Sequence, residues 1–249
     1  MKKKFKILVL GSKKESGLPD IEPDIIVAAN GAISKALYYE KYKNCLKIAI
    51  VSKKQLRKKE ICSRLLLVMP EEIILWRDDI SLENSLYNKI SALKLTELTD
   101  KFHYELQKKY FGNLRLFFSH FTIKHTKAFK SDLKGLKLFL NIIYENIKLL
   151  STSSGGGCST GLFSLIYSLD RWPNSEIIVS GVSMHGGEHH YKGPNISSKV
   201  ALRDKRLFPH LNLVTKKRIS TVDEIVNKKA GIKLWKGNFI RSEKLYKKR

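Results

Sequence analysis

Residues able to do chemistry gather at four places in the 249-residue chain. The first is Gly11-Ser12-Lys13-Lys14, directly after the apolar run 5–10. A glycine where a strand meets a turn lets backbone N–H groups approach a phosphate or a ribose, although a plain turn needs a glycine there too. The second is Ala28-Ala29-Asn30-Gly31. A carboxamide at a strand end can offer a nucleotide both a donor and an acceptor, while Asn-Gly equally favours a turn with positive φ.

The third place is Ser153-Ser154-Gly155-Gly156-Gly157-Cys158-Ser159-Thr160-Gly161. Its glycines bring the backbone close to a ligand, and Ser159-Thr160 open an apolar helix whose first N–H groups suit an anion. The alternative is a linker with a Ser or Thr cap, but the run feeds directly into the helix. Cys158 beside a helix start has the setting of a reactive thiolate; a small buried side chain is the plainer reading. The fourth place is Ser180-Gly181-Val182-Ser183-Met184-His185-Gly186-Gly187-Glu188-His189-His190-Tyr191, which holds three of the seven histidines. Such a loop can carry a general base or donors to a phosphate. The spacing His185, His189, His190 is incomplete as a zinc site, and no metal is expected.

These residues need a frame. Apolar runs at 5–10, 24–29, 47–52 and 175–181 read as buried strands, with further β-rich runs at 65–69, 73–76 and 114–119 and a strand near Leu213. Helical stretches are predicted at 34–42, 53–62, 82–110, 131–150, 160–169, 201–208 and 222–229. Near-continuous apolar strands alternating with helices predict an α/β fold: a Rossmann-like, mostly parallel sheet with helices on both faces. A single domain over 1–249 is expected, with a lid loop at about 184–200 and a basic C-terminal arm from about Lys233. In such sheets ligands bind beyond the carboxyl ends of the strands, where the first, second and fourth places would fall.

The formal net charge is +24, from 47 Lys and Arg against 23 Asp and Glu. Nucleic acid, an anionic membrane surface and a phosphorylated substrate are partners that fit it; an AT-rich genome would also enrich lysine. Three widely spaced cysteines, Cys45, Cys62 and Cys158, argue against a disulfide framework and for a reducing compartment. No run approaches the roughly 18 apolar residues of a membrane span. A cytoplasmic location is expected, extending to a peripheral one on the inner face of the cytoplasmic membrane.

In this order the four features resemble the bacterial sialyltransferases and related transferases that use CMP-activated sugars such as Kdo. The matching residues are Leu10-Gly11-Ser12, Ala29-Asn30, Ser159-Thr160-Gly161-Leu162 and Val179-Ser180-Gly181-Val182-Ser183. The resemblance implies transfer of a Kdo- or sialic-acid-type sugar from a CMP-sugar donor to a cell-surface glycan or glycolipid, with no separate cofactor. It implies donor binding by Gly11, Ser12, Asn30, Ser159, Thr160, Gly161, Ser180 and Gly181, and a lid histidine as base in a metal-independent displacement with inversion; His189 or His190 would be that base, with Tyr191 on the leaving phosphate. Lys199 or Arg203 would steady the phosphate. The family's base precedes an Asp-containing helix, here the stretch around Asp204, and no histidine stands at 198–200.

Two other functions compete. A basic nucleic-acid-binding α/β protein without catalytic activity would use the charge, yet no RNP motif, zinc finger or KH-type GxxG occurs, so nucleic acid is the less favoured partner. A pyrophosphokinase or nucleotide hydrolase would need clustered acids, and Glu71-Glu72, Asp78-Asp79 and Asp223-Glu224 do not follow clear buried strands.

Overall fold

The structure, a computed structural model, describes residues 4–14, 16–42, 44–76, 90, 93–112, 157–182, 184 and 198–240. Eight strands form one sheet: β1 (Lys6–Leu10), β2 (Ile25–Ala29), β3 (Leu46–Ser52), β4 (Glu72–Trp76), β5 (Leu95–Glu97), β6 (Glu176–Ser180), β7 (Ile219–Thr221) and β8 (Lys233–Leu234). Their order is β5-β4-β3-β2-β1-β6-β7-β8, and every neighbouring pair is parallel. Parallel strands require crossovers, and crossovers cover both faces, which is why the central strands are apolar at successive positions. Ile7, Leu8, Val9 and Leu10 are all fully buried.

The two faces alternate residue by residue. Ile7, Val9, Ile25, Val27, Ile48 and Ile50 pack with Trp76 and with Leu162, Phe163 and Ile166 of helix α4 (Thr160–Arg171). Leu8, Leu10, Ile26, Ala28, Ala49 and Val51 pack on the other side, against the 3₁₀ helix Asn30–Tyr39 and helix α2 (Lys59–Val68). The remaining α-helices among the described residues are α1 (Lys53–Leu56), α3 (Asp100–Phe111), α5 (Ser198–Leu207), α6 (Leu213–Lys217) and α7 (Glu224–Ala230). The Rossmann-like α/β expectation therefore holds. Among the described residues no helix is long and apolar enough to cross a membrane.

Several local readings are corrected. The β-rich run 65–69 belongs to α2, because Ile61, Leu65 and Val68 fall at helical spacing and are buried while Leu67 is exposed. The helix ends at Met69, whose φ of 48° is left-handed. The strand expected near Leu213 is α6, begun by Asn212, whose Oδ1 accepts the Thr215 N–H at 2.8 Å; the strand follows at Ile219. Within 82–110, residues 95–97 form β5 and precede α3, which Thr99 caps. The basic stretch 53–62 is broken into α1 and α2 at Arg57-Lys58.

The segment from Lys233 adds β8 to the sheet. Phe239 then bridges Pro19, and the Ile240 N–H donates to the Leu18 carbonyl at 2.8 Å. The predicted strand 114–119, the helix 131–150 and nearly all of the lid loop lie outside the described residues.

Candidate functional site

The chain starts at β1, moves outward strand by strand to β5, and returns to lay β6 on the other side of β1. This reversal makes the β1–β6 junction the topological switch point, where an open α/β sheet has its crevice. Two glycines meet there. The Gly11 N–H donates to the Ser180 carbonyl at 2.7 Å, and the Lys13 N–H to the Gly181 carbonyl at 3.1 Å. A Cβ on Gly11 would stand 2.2 Å from the Gly181 oxygen, and Gly181 has a φ of 75°. Both positions therefore demand glycine for backbone-to-backbone approach, a reason the sequence alone did not reveal. The Ser180 hydroxyl donates to the Gly17 carbonyl at 2.7 Å, tying the loop after β1 to the end of β6. Ser12 sits in that loop, half-buried.

Asn30 stands at the end of β2 with a φ of 50°, and its Oδ1 accepts the Ser52 N–H at 3.2 Å. The carboxamide thus links the carboxyl ends of β2 and β3. Beneath the loop after β1 lies Lys35, only 2% exposed. Its Nζ is 3.0 Å from the Gly11 oxygen, 2.8 Å from the Lys13 oxygen and 2.8 Å from Ser16 Oγ. Burial pushes its ammonium down to about 7. The Lys13 ammonium reaches the other way, to Asp223 Oδ2 at 2.9 Å. Burial raises the Asp223 carboxyl, but Lys13 and the N–H groups of Val226 and Ile225 outweigh it, and the net shift is downward.

Helix α4 brings the glycine-rich turn to the same edge. Its far end is pinned by Arg171, which donates to Glu72 Oε2 at 2.7 Å. At its start Ser159 Oγ accepts the Leu162 N–H at 3.1 Å, a regular N-cap. In helix geometry the N–H groups of Thr160 and Gly161 then head the first turn with no partner inside the helix. Gly161 lies against Val182, where a Cβ would come within 3.2 Å of Cγ2. This contact sets the turn beside the end of β6.

The turn is clamped from three directions, so its described part is folded structure. Gln107 Oε1 accepts the Cys158 N–H at 2.8 Å, and a Cβ on Gly157 would meet the same oxygen at 2.4 Å. Gln107 is in turn bonded to His103 at 3.0 Å, and that ring stacks on Trp76 and meets Phe163 at a tilt. Arg203 donates to the Gly157 carbonyl at 3.2 Å. Asp204, 1% exposed, accepts the Ser159 N–H at 2.8 Å. Burial raises its carboxyl to about 7, against the hydrogen bonds from Ser159 and the charge of Arg203. Cys158 is 1% exposed.

The structure thus gathers Gly11, Ser12, Asn30, Ser180 and Gly181 along one sheet edge, with Ser159, Thr160, Gly161 and Arg203 beside it. Lys199 falls in the first turn of α5. His189, His190 and Tyr191 lie outside the described residues. Lys35, Gln107 and Asp204 were not among the expected site residues. For Lys35 the available signal was a single charge inside the apolar stretch Ala32-Ile33-Ser34-Lys35-Ala36.

Among the described residues no three His, Cys, Asp or Glu side chains are grouped to hold a metal ion. A cavity of about 240 Å³ opens at the opposite edge, where β1 to β3 begin, lined by Lys6, Asp24, Tyr42 and Cys45 among others. One of its carboxylates, Asp24, is already engaged by the Lys6 N–H at 2.8 Å. The topology favours the carboxyl edge over this cavity, because open α/β sheets bind ligands beyond the carboxyl ends of their strands, at the switch point. The chain matches no family model, and neither a curated protein nor a solved structure matches it.

Proposed function

We propose that the protein is a glycosyltransferase that moves a Kdo- or sialic-acid-type sugar from a CMP-sugar to a glycan or glycolipid acceptor. The observation that supports it is convergence. The loop after β1, the Asn30 end of β2, the Gly181 end of β6 and the capped start of α4 meet at one switch point. A nucleotide needs that combination of close backbone, a carboxamide and helix-terminal N–H groups for a phosphate.

In this reading the N–H groups of Thr160 and Gly161 face the donor phosphate, and Arg203 adds a cation beside them. Asn30 contacts the cytidine moiety. The acceptor hydroxyl attacks the anomeric carbon as its bond to the phosphate oxygen breaks. His189 or His190 takes the hydroxyl proton, Tyr191 donates to the leaving phosphate, and CMP departs as the dianion. The charge of +24 suits an acceptor or membrane surface that is itself anionic.

A thermal melt with CMP tests it. Saturating nucleotide should raise the Tm by about 5 °C, and Asn30→Ala should remove most of that gain. The absence of any shift at millimolar CMP would remove the proposal, as would a shift that Asn30→Ala leaves intact. The same net charge favours one second reading, a nucleic-acid-binding protein without catalysis; its mark would be a salt-sensitive shift of a random oligonucleotide with no response to CMP.

A further inference from the structure

We infer that Lys35 is a positioning residue for the candidate site: its buried amine fixes the loop after β1 and makes closure of that loop proton-linked. The geometry carries this. Nζ lies within 3.0 Å of the Gly11 and Lys13 carbonyls and of Ser16 Oγ, three points spread over one loop. Holding the two carbonyls against Lys35 aims the N–H groups of Ser12 and Lys14 to the opposite side of their trans peptide planes. Lys35 thereby sets which way two backbone donors of the loop face.

Both charge states fit this cradle. As an ammonium, Nζ donates to all three oxygens, and the Ser16 hydroxyl donates to the Lys13 carbonyl at 3.1 Å. As an amine, Nζ keeps two donors for the carbonyls, and the Ser16 hydroxyl turns to its lone pair. The two states therefore differ mainly in the burial of charge, which pushes the ammonium from 10.5 down to about 7.

The charged neighbours are engaged elsewhere among the described residues. Lys13 pairs with Asp223. Arg64 of α2 pairs with Glu60 and donates to Ser34, one residue from Lys35. The Tyr39 hydroxyl donates to the Pro19 carbonyl.

The direction follows from linkage. When the loop lifts, Nζ meets water and regains its ordinary affinity for a proton. Between about 7 and 10.5 the open form binds more protons than the closed form, so closure strengthens as pH rises through that window. The change in the opening equilibrium approaches tenfold per pH unit inside it.

Amide hydrogen exchange of residues 11–17, corrected for the intrinsic rate and measured without nucleotide, tests the inference in the full chain. Gly11 and Lys13 carry the reporting amides, since they donate to the Ser180 and Gly181 carbonyls at the end of β6. Protection in the wild type should rise by on the order of 10-fold or more from pH 7 to pH 9, and Lys35→Met should abolish the rise. A flat wild-type profile overturns the inference, as does an equal rise in Lys35→Met. Should that variant fail to fold, the wild-type profile alone decides.

A second arm, which rests on the transferase reading, measures CMP affinity over the same pH range, where a wild-type rise that Lys35→Met abolishes is expected. The expected loop profile without CMP binding keeps Lys35 in its role and removes the transferase. CMP binding over a pH-flat loop does the reverse.

Discussion

Replacing Asp204 by Asn should make the protein more stable at neutral pH, and the gain should grow with pH in a calculable way. Asp204 is buried against the Ser159 N–H, and its carboxyl is raised from 3.8 to about 7. Below 3.8 the group is protonated in folded and unfolded chains alike. Between 3.8 and about 7 the unfolded chain releases the proton while the folded one retains it, so stability falls as pH rises through that interval. At about 1.4 kcal/mol per pH unit, the loss in the wild type relative to Asp204→Asn is about 4 kcal/mol above pH 7. More than half of that loss falls between pH 5 and pH 7.5, on the order of 2–3 kcal/mol. Asp204→Asn removes the ionisation and retains an acceptor oxygen for Ser159. Urea unfolding of both proteins at half-unit steps from pH 5 to pH 7.5 gives the difference directly. Parallel stability curves would refute the burial reasoning, and a variant that loses ground as pH rises would reverse its sign.

Two further substitutions probe the same edge. Gly11→Ala should cost about 3 kcal/mol in urea unfolding, because the new methyl overlaps the Gly181 backbone, which cannot swing away. Gly161→Ala should cost less than about 1 kcal/mol, since its neighbour is the end of a Val182 side chain and alanine favours the helix; equal costs would contradict the glycine contact. Asn30→Ala should lose about 2 kcal/mol through the left-handed backbone and the Ser52 hydrogen bond together, and Asn30→Gly should recover about half of that. Equal urea midpoints for these two Asn30 variants would show that the left-handed backbone contributes nothing.

The sheet was legible because its central strands carry unbroken apolar runs such as Ile7–Leu10 and Ile25–Ala29, a pattern that burial on both faces explains. Runs such as 65–69 were not, since a short apolar stretch fits a strand or one side of a helix until its neighbours are known. At the site, Gly11 and Gly181 were visible as glycines at strand ends. Their reason for being glycine was hidden, because each occupies the space the other's Cβ would need across 170 positions of sequence. Asn30 was visible as an end-of-strand carboxamide, but its bond to Ser52 depends on the β2–β3 register. Lys35 and Asp204 were hidden for a different reason. For Lys35 the signal was faint, one charge within the apolar stretch 32–36 of a chain with 47 basic residues, and its burial under the loop shows only in the fold.

The strand order also fixes a sequence of events during synthesis. β1 lies at the centre of the sheet but is made first, and its partner on one side, β6, begins at Glu176. At about 5–20 residues per second, one edge of Ile7–Leu10 waits roughly 10–30 s for its neighbour. Throughout that interval an apolar strand edge stands open to pairing with other chains. A pairing so distant in sequence adds to the contact order, which slows folding, so yield in the cell should depend on how well that edge is shielded until β6 arrives.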